Sequence, residues 1–199
     1  KRTGDKTGAV MLAVEVVVDS ATPAIRRLMA NVSGRAVFAA AASAVSQLVQ
    51  QHLVDKDQIP NRLGGDRTHF YAAAAGGTHW EAYPGRAEVS IAKEGIAQRL
   101  VGGTIRPVNR KYLTIPVSPE AHGRAAPEFG SDLRAVLFGG TAKNPNTAGA
   151  LVLGEGATAT VLCLLVRKVT QRADPTVLPT DQRIASEAAD AIAEVIAPA

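Results

Sequence analysis

The chain has 199 residues, with 22 Lys+Arg against 18 Asp+Glu for a net charge of +4, and 46% of its residues are apolar while only 4% are aromatic. That apolar share supplies a core, which excludes a chain disordered throughout, and the length fits one domain. The scarcity of aromatics argues against a built small-molecule pocket, and the basic surplus falls far short of a dedicated DNA-binding tail.

The numbered sequence begins at Lys1 rather than Met, which predicts residues upstream of it. Residues 9–18, Ala-Val-Met-Leu-Ala-Val-Glu-Val-Val-Val, are rich in β-formers and bounded by Gly8 and Asp19-Ser20, which predicts an opening strand. The period then changes. Ser20 or Thr22 is placed to cap a helix with Pro23 in its first turn, and Ile25, Leu28, Met29 and Val32 recur at three- and four-residue spacing. Phe38, Ala41, Val45, Leu48, Val49 and His52 continue that stripe. With Gly34 as the one weak point, the pattern predicts a single helix of about 30 residues, roughly 45 Å long. Its uncharged run 36–54 approaches membrane-spanning length, but Ser43, Ser46, Gln47, Gln50 and Gln51 interrupt it and mark a helix that stays in water.

Residues 55–65 turn polar, and Pro60, Gly64 and Gly65 mark a loop. Residues 68–75 predict a short helix ending at Gly76-Gly77, where glycine relieves a left-handed cap. Residues 86–92 alternate as a half-exposed strand, and 112–117, 133–138 and 159–169 are further strands. Between them, 118–131 contains Pro119, Gly123, Pro127 and Gly130, and 139–156 contains five glycines with Pro145; both read as long projecting loops. Thr180 or Asp181 caps a closing helix with Ile184, Ala188, Ala191, Ile192 and Val195 on one face. This order predicts an α+β fold: a mainly antiparallel sheet covered by a long N-terminal helix and a C-terminal helix, in a single domain over 1–199.

Patterns that carry chemistry are sparse. Of the four histidines, His52, His69, His79 and His122, the pair His69 and His79 has no cysteine nearby and no His-Glu-x-x-His spacing, so no metal is expected. A small metal-dependent hydrolase around that pair is the enzyme reading left open. Gly154-Glu155-Gly156 opens like a dinucleotide fingerprint but lacks a third glycine in register and runs into a strand, and no Walker lysine follows a glycine loop, so no cofactor is expected. Cys163, the only cysteine, lies in the apolar run 160–166 and reads as an inert core thiol. The densest basic positions are Arg62 and Arg67, then Arg106, Arg110 and Lys111. They are either solvated loop charge or a surface facing phosphates, and the latter would make the chain a DNA-binding packaging accessory.

The most informative stretch is Leu100-Val101-Gly102-Gly103-Thr104-Ile105-Arg106-Pro107, followed by Tyr112-Leu113-Thr114-Ile115-Pro116. The double glycine permits dihedrals closed to other residues, while Pro107 and Pro116 fix φ and remove donors, so the segment speaks of shape rather than catalysis. Together with Arg67-Thr68-His69-Phe70-Tyr71, Gly95-Ile96-Ala97, Glu120-Ala121-His122-Gly123-Arg124 and Glu128-Phe129 to Asp132-Leu133, it resembles, in the same order, a family of tailed-bacteriophage proteins described as virion morphogenesis, tail completion or head-tail joining proteins. The resemblance spans roughly residues 20–196, and its most recognisable part holds Gly102, Gly103, Thr104, Ile105, Pro107, Leu113 and Pro116.

That resemblance implies a non-enzymatic structural subunit forming a homo-oligomeric ring at the neck or the head-proximal end of the tail. Its implied partners are other copies of itself, connector or neck proteins, and tail tube or tail terminator proteins. Non-specific contact with genomic DNA is expected and a membrane is not. The implied location is the virion, after assembly in the host cytoplasm.

Overall fold

Apolar side chains at helical spacing form a deeply buried stripe. Helix α1 (Arg35–Asp57) buries Val37, Phe38, Ala41, Ala42, Val45, Leu48, Val49 and Leu53, a stripe that recurs every three or four residues. The computed structural model describes residues 34–60, 64, 66–140 and 144–197. The opening strand expected at 9–18 and the helix start expected at Ser20 or Thr22 lie outside the described residues. Gly34 corrects the expectation of one helix running through it. Its backbone is extended (φ −66°, ψ 145°) and α1 begins only after it, as suits the residue that loses most entropy in a helix.

At its other end α1 passes beyond the stripe to Asp57. The Asp57 carboxylate then accepts from the backbone N–H groups of Tyr71 and Ala72, each at 3.1 Å, and so caps the next helix, α2 (Phe70–Gly76), from outside its own sequence. The predicted left-handed cap at Gly76-Gly77 is corrected, since neither glycine has positive φ. Gly77 serves close approach instead: a Cβ there would lie 3.0 Å from the Ala92 carbonyl oxygen, and the Gly77 carbonyl accepts from Ala92 N–H at 2.7 Å.

Strands β1 (Thr78–Tyr83) and β2 (Arg86–Ile91) form an antiparallel hairpin turning at Gly85, whose φ of 81° suits glycine. Ala82 and Ala87 sit opposite each other and pack with Phe38 and Ala42 of α1. A short helix α3 (Ile96–Val101) and the closing helix α4 (Asp181–Ile196) follow. The Thr180 hydroxyl accepts from Arg183 N–H at 3.4 Å, which makes Thr180 rather than Asp181 the cap, and α4 buries Ile184 and Ala188 while Val195 of the expected apolar face is 47% exposed. Ahead of α4, the Lys56 ammonium donates to the Thr176 hydroxyl at 2.6 Å and to its carbonyl at 3.1 Å, and pairs with Asp174 at 3.1 Å.

The chain groups into two compact units, Lys1–Gln58 with Tyr71–Val101 and Asp174–Ala199, and Ile59–Phe70 with Gly102–Ala173. The elements so far belong to the first unit, apart from Phe70. In the second, β3 (Gly103–Ile105) pairs with β8 (Val169–Gln171), and a four-stranded antiparallel sheet has the order β4 (Leu113–Pro116), β7 (Thr160–Val166), β6 (Thr147–Leu153), β5 (Leu133–Leu137). The fold is therefore α+β with antiparallel sheets, a long N-terminal helix and a C-terminal helix.

One of the two long loops needs correction. Stretch 139–156 contains β6, whose Gly149 lies so close to β5 that a Cβ would meet the Val136 carbonyl oxygen at 2.3 Å. Small residues there serve strand contact rather than a loop. Stretch 118–131 forms two short 3-10 turns, with Ala121 only 2% exposed against Leu162 and Cys163 and with Phe129 packed on the same cluster. The strand expected over 159–169 is two strands. Asn146 donates to the Lys168 carbonyl at 2.6 Å and accepts from Lys168 N–H at 3.1 Å, which holds the chain out of the ladder between them.

The Thr176 hydroxyl, with Lys56 adding to it, holds the Asp174 carboxyl below its usual range. A carboxylate with lowered folded pKa stabilises above its unfolded pKa, about 3.9, and that contribution fades as pH falls through the folded value. Asp174→Asn is expected to lower the urea midpoint at pH 7, and the gap to the parent chain is expected to shrink towards about pH 2–3. Denaturation at both pH values checks this.

Candidate functional site

The segment singled out in the sequence, Gly102 to Pro116, builds one continuous feature of the second unit: β3, an exposed connection and β4. Gly102 has φ +70°, and a Cβ on it would lie 2.5 Å from Ala173 N and 2.8 Å from the Gln171 carbonyl oxygen. Gly103 has φ 129° and pairs with Gln171, Thr104 with Thr170, and Ile105 with Val169. The two glycines thus let β3 lie against the strand that closes the unit.

From Ile105 the chain projects. Val108 is 92% exposed, and Arg106, Arg110 and Lys111 are all exposed around it. Pro107 is half-buried and limits the backbone at the start of the loop. Tyr112 ends the loop half-buried, with the Lys111 ammonium 5.6 Å from its ring centroid. Leu113 and Pro116 then lie half-buried in β4, paired with Val166 and Cys163.

A hollow of about 200 Å³ opens beside this loop, floored by Leu133, Leu151 and Cys163 and rimmed by Arg110, Tyr112 and Arg124. Arg124 stacks 4.2 Å from the Phe129 ring centroid, and its Nε lies 3.5 Å from the Glu128 carboxylate. The rim thus sets Arg110 and a carboxylate-paired Arg124 beside apolar lining residues. It offers little nucleophilic chemistry. Burial raises the Cys163 thiol, which keeps it protonated and unreactive.

The remaining predicted positions are dispersed. Arg67 is exposed in the second unit and Arg62 lies outside the described residues. His69 belongs to the second unit and has φ 50°, whereas His79 is exposed on β1 of the first. Among the described residues no group of three His, Cys, Asp or Glu is placed to hold a metal, and no helix is long and apolar enough to cross a membrane. Gly154 and Gly156 take φ 82° and 61° in a tight turn that leads into β7, not into a helix N-terminus.

Two features escaped the sequence reading. The Ser118 hydroxyl and His122 Nδ1 are buried without a hydrogen-bond partner among the described residues. The second is charge partition. The second unit contains 11 Lys and Arg against 5 Asp and Glu, a net of +6, and the first contains 11 against 13, a net of −2. The partition leaves no mark along the chain, because the second unit is assembled from separate stretches.

Comparisons with protein families, with curated proteins and with solved structures find no match to this chain.

Replacing Gly102 by Ala adds a side chain where φ is left-handed and backbone atoms already fill the space. The expected cost is about 2–4 kcal/mol. Gly103→Val is expected to cost about 1–3 kcal/mol from backbone strain. Denaturant unfolding checks both, and Gly102→Ala should show the larger loss.

Proposed function

We propose that this chain is a non-enzymatic structural subunit of a tailed-phage particle, forming a homo-oligomeric ring at the neck or head-proximal tail end that joins tail to head around the DNA channel. Its neighbours in this reading are further copies of itself, connector or neck proteins, and tail tube or tail terminator proteins. The observation that carries it is the fate of the segment most similar to that family, which turns into a projecting loop exposing Arg106, Arg110 and Lys111 on the unit with net charge +6. Such a surface tolerates passing DNA through phosphate contacts that ignore base sequence. The resemblance supplies the particle, and the loop's exposure and charge support a position near the DNA.

The same loop favours a second reading, a DNA-binding packaging accessory that leaves before the particle is complete. Electron microscopy separates the two. In the structural role, gold-labelled subunit sits at the neck of purified particles, and deleting it leaves DNA-filled heads and unattached tails. A subunit missing from purified particles would overturn that role.

Either reading expects weak, sequence-independent duplex binding at low salt. Replacing Arg106, Arg110 and Lys111 together by Ala should reduce the slope of log K against log salt by roughly 2–3. Salt-titrated fluorescence anisotropy reads this, and an unchanged slope would remove the loop from DNA contact.

A further inference from the structure

The four-stranded sheet has two edges, and ladder parity shows that they differ. In an antiparallel edge strand, alternate residues direct N–H and C=O to the neighbour and the others direct them outward. For β5, the Asp132 carbonyl accepts from Gly154 N–H at 3.3 Å and Phe138 N–H donates to Ala148 at 3.2 Å, so the even positions face β6. Leu133, Ala135 and Leu137 therefore turn their backbone groups outward. For β4, Val117 N–H donates to the Leu162 carbonyl at 2.9 Å, so the odd positions face β7 while Thr114 and Pro116 face outward. Pro116 has no N–H to offer, and that edge is blunted.

The β5 edge carries no such protection. No strand among the described residues pairs with its outer side. Val136, Leu137 and Phe138 are 47%, 57% and 56% exposed. The strand's one charge, Arg134, is already paired with Glu155. An apolar edge whose outward donors and acceptors meet no strand among the described residues is a template for another strand, and proteins that stay alone normally break it with charge, proline or a bulge.

We infer that β5 is a pairing edge for the β5 strand of a second copy of this chain, joined antiparallel about a two-fold axis near Val136. In that register Val136 faces Val136 of the second copy and Ala135 faces Leu137, so the outward N–H and C=O groups of Ala135 and Leu137 bond across the axis. Arg134 falls opposite Phe138, which sets a cation beside an aromatic ring and keeps the two arginines apart. The strand thus matches its own reverse. Head-to-tail addition of β5 to β4 would instead meet the missing donor of Pro116. A self-matched edge closes as a dimer with a continuous eight-stranded sheet, whatever position the chain takes in a particle, so the inference stands apart from the phage reading.

The test uses the full chain in sedimentation velocity across a concentration series. The parent chain is expected to dimerise, and Val136→Lys, which sets two ammonium groups face to face, should weaken the dimer about tenfold or more. Val136→Glu should do the same, and mixing the two variants should restore association. Circular dichroism and melting of each variant check that it remains folded, as an exposed edge position should allow. A parent chain that is monomeric at about 100 μM would overturn the proposal, as would a dimer or a larger ring indifferent to Val136→Lys. In the latter case a ring at the neck would stand without β5.

Discussion

The clasp between Gly102 and the backbone of Gln171 to Ala173 is the constraint on which the second unit depends. The segment Gly102–Ala173 leaves and returns at that point, and three residue pairs of β3 and β8 fasten it there. Closing a segment of this length costs loop entropy that grows only slowly with length, so a short ladder with tight backbone contact goes far towards holding it. The contact tolerates no side chain at position 102 and demands a left-handed backbone, two separate reasons for glycine. Strands β4 to β7 and the basic loop are all strung between the two halves of the clasp.

The first unit is organised by small residues. Ala41 and Ala42 on α1, with Ala82 and Ala87 on the hairpin, let helix and strands approach closely where larger side chains would hold them apart. Few aromatics are needed for such a core. Polar groups then fix the connections: Asp57 supplies α2 with the cap its own sequence lacks, and Lys56 with Asp174 and Thr176 fastens the turn before α4. These contacts join residues far apart in the chain, so their value depends on helices that have already packed.

The loop at Arg106, Arg110 and Lys111 belongs to the unit with the positive balance, while an apolar strand edge lies at one side of that unit's sheet. The loop's charge is of the kind that makes diffuse contacts with phosphates, and a strand edge is of the kind that makes directional contacts with protein backbone, so the two features differ in the chemistry they present.

The sequence by itself determined those elements whose signal is local. The Thr180 cap and the buried start of the α4 stripe at Ile184 and Ala188, though not Val195, which is 47% exposed, together with the stripe of α1 from Phe38 onward, the strand at Leu133–Leu137 and the burial of Cys163, follow from periodicity and capping within a dozen residues. The double glycine was also legible as a backbone device. Only the tertiary structure decided that Thr147–Leu153 is a strand, because its glycine and alanines look like a loop until β5 and β7 lie on either side of it. It alone decided that 118–131 is a covering segment, that the basic excess gathers in one unit, and that Pro116 turns its missing donor outward while β5 turns groups outward that pair with no strand among the described residues. Each of those properties depends on which distant residues become neighbours, and pairing across a chain leaves no mark in the local period of the sequence.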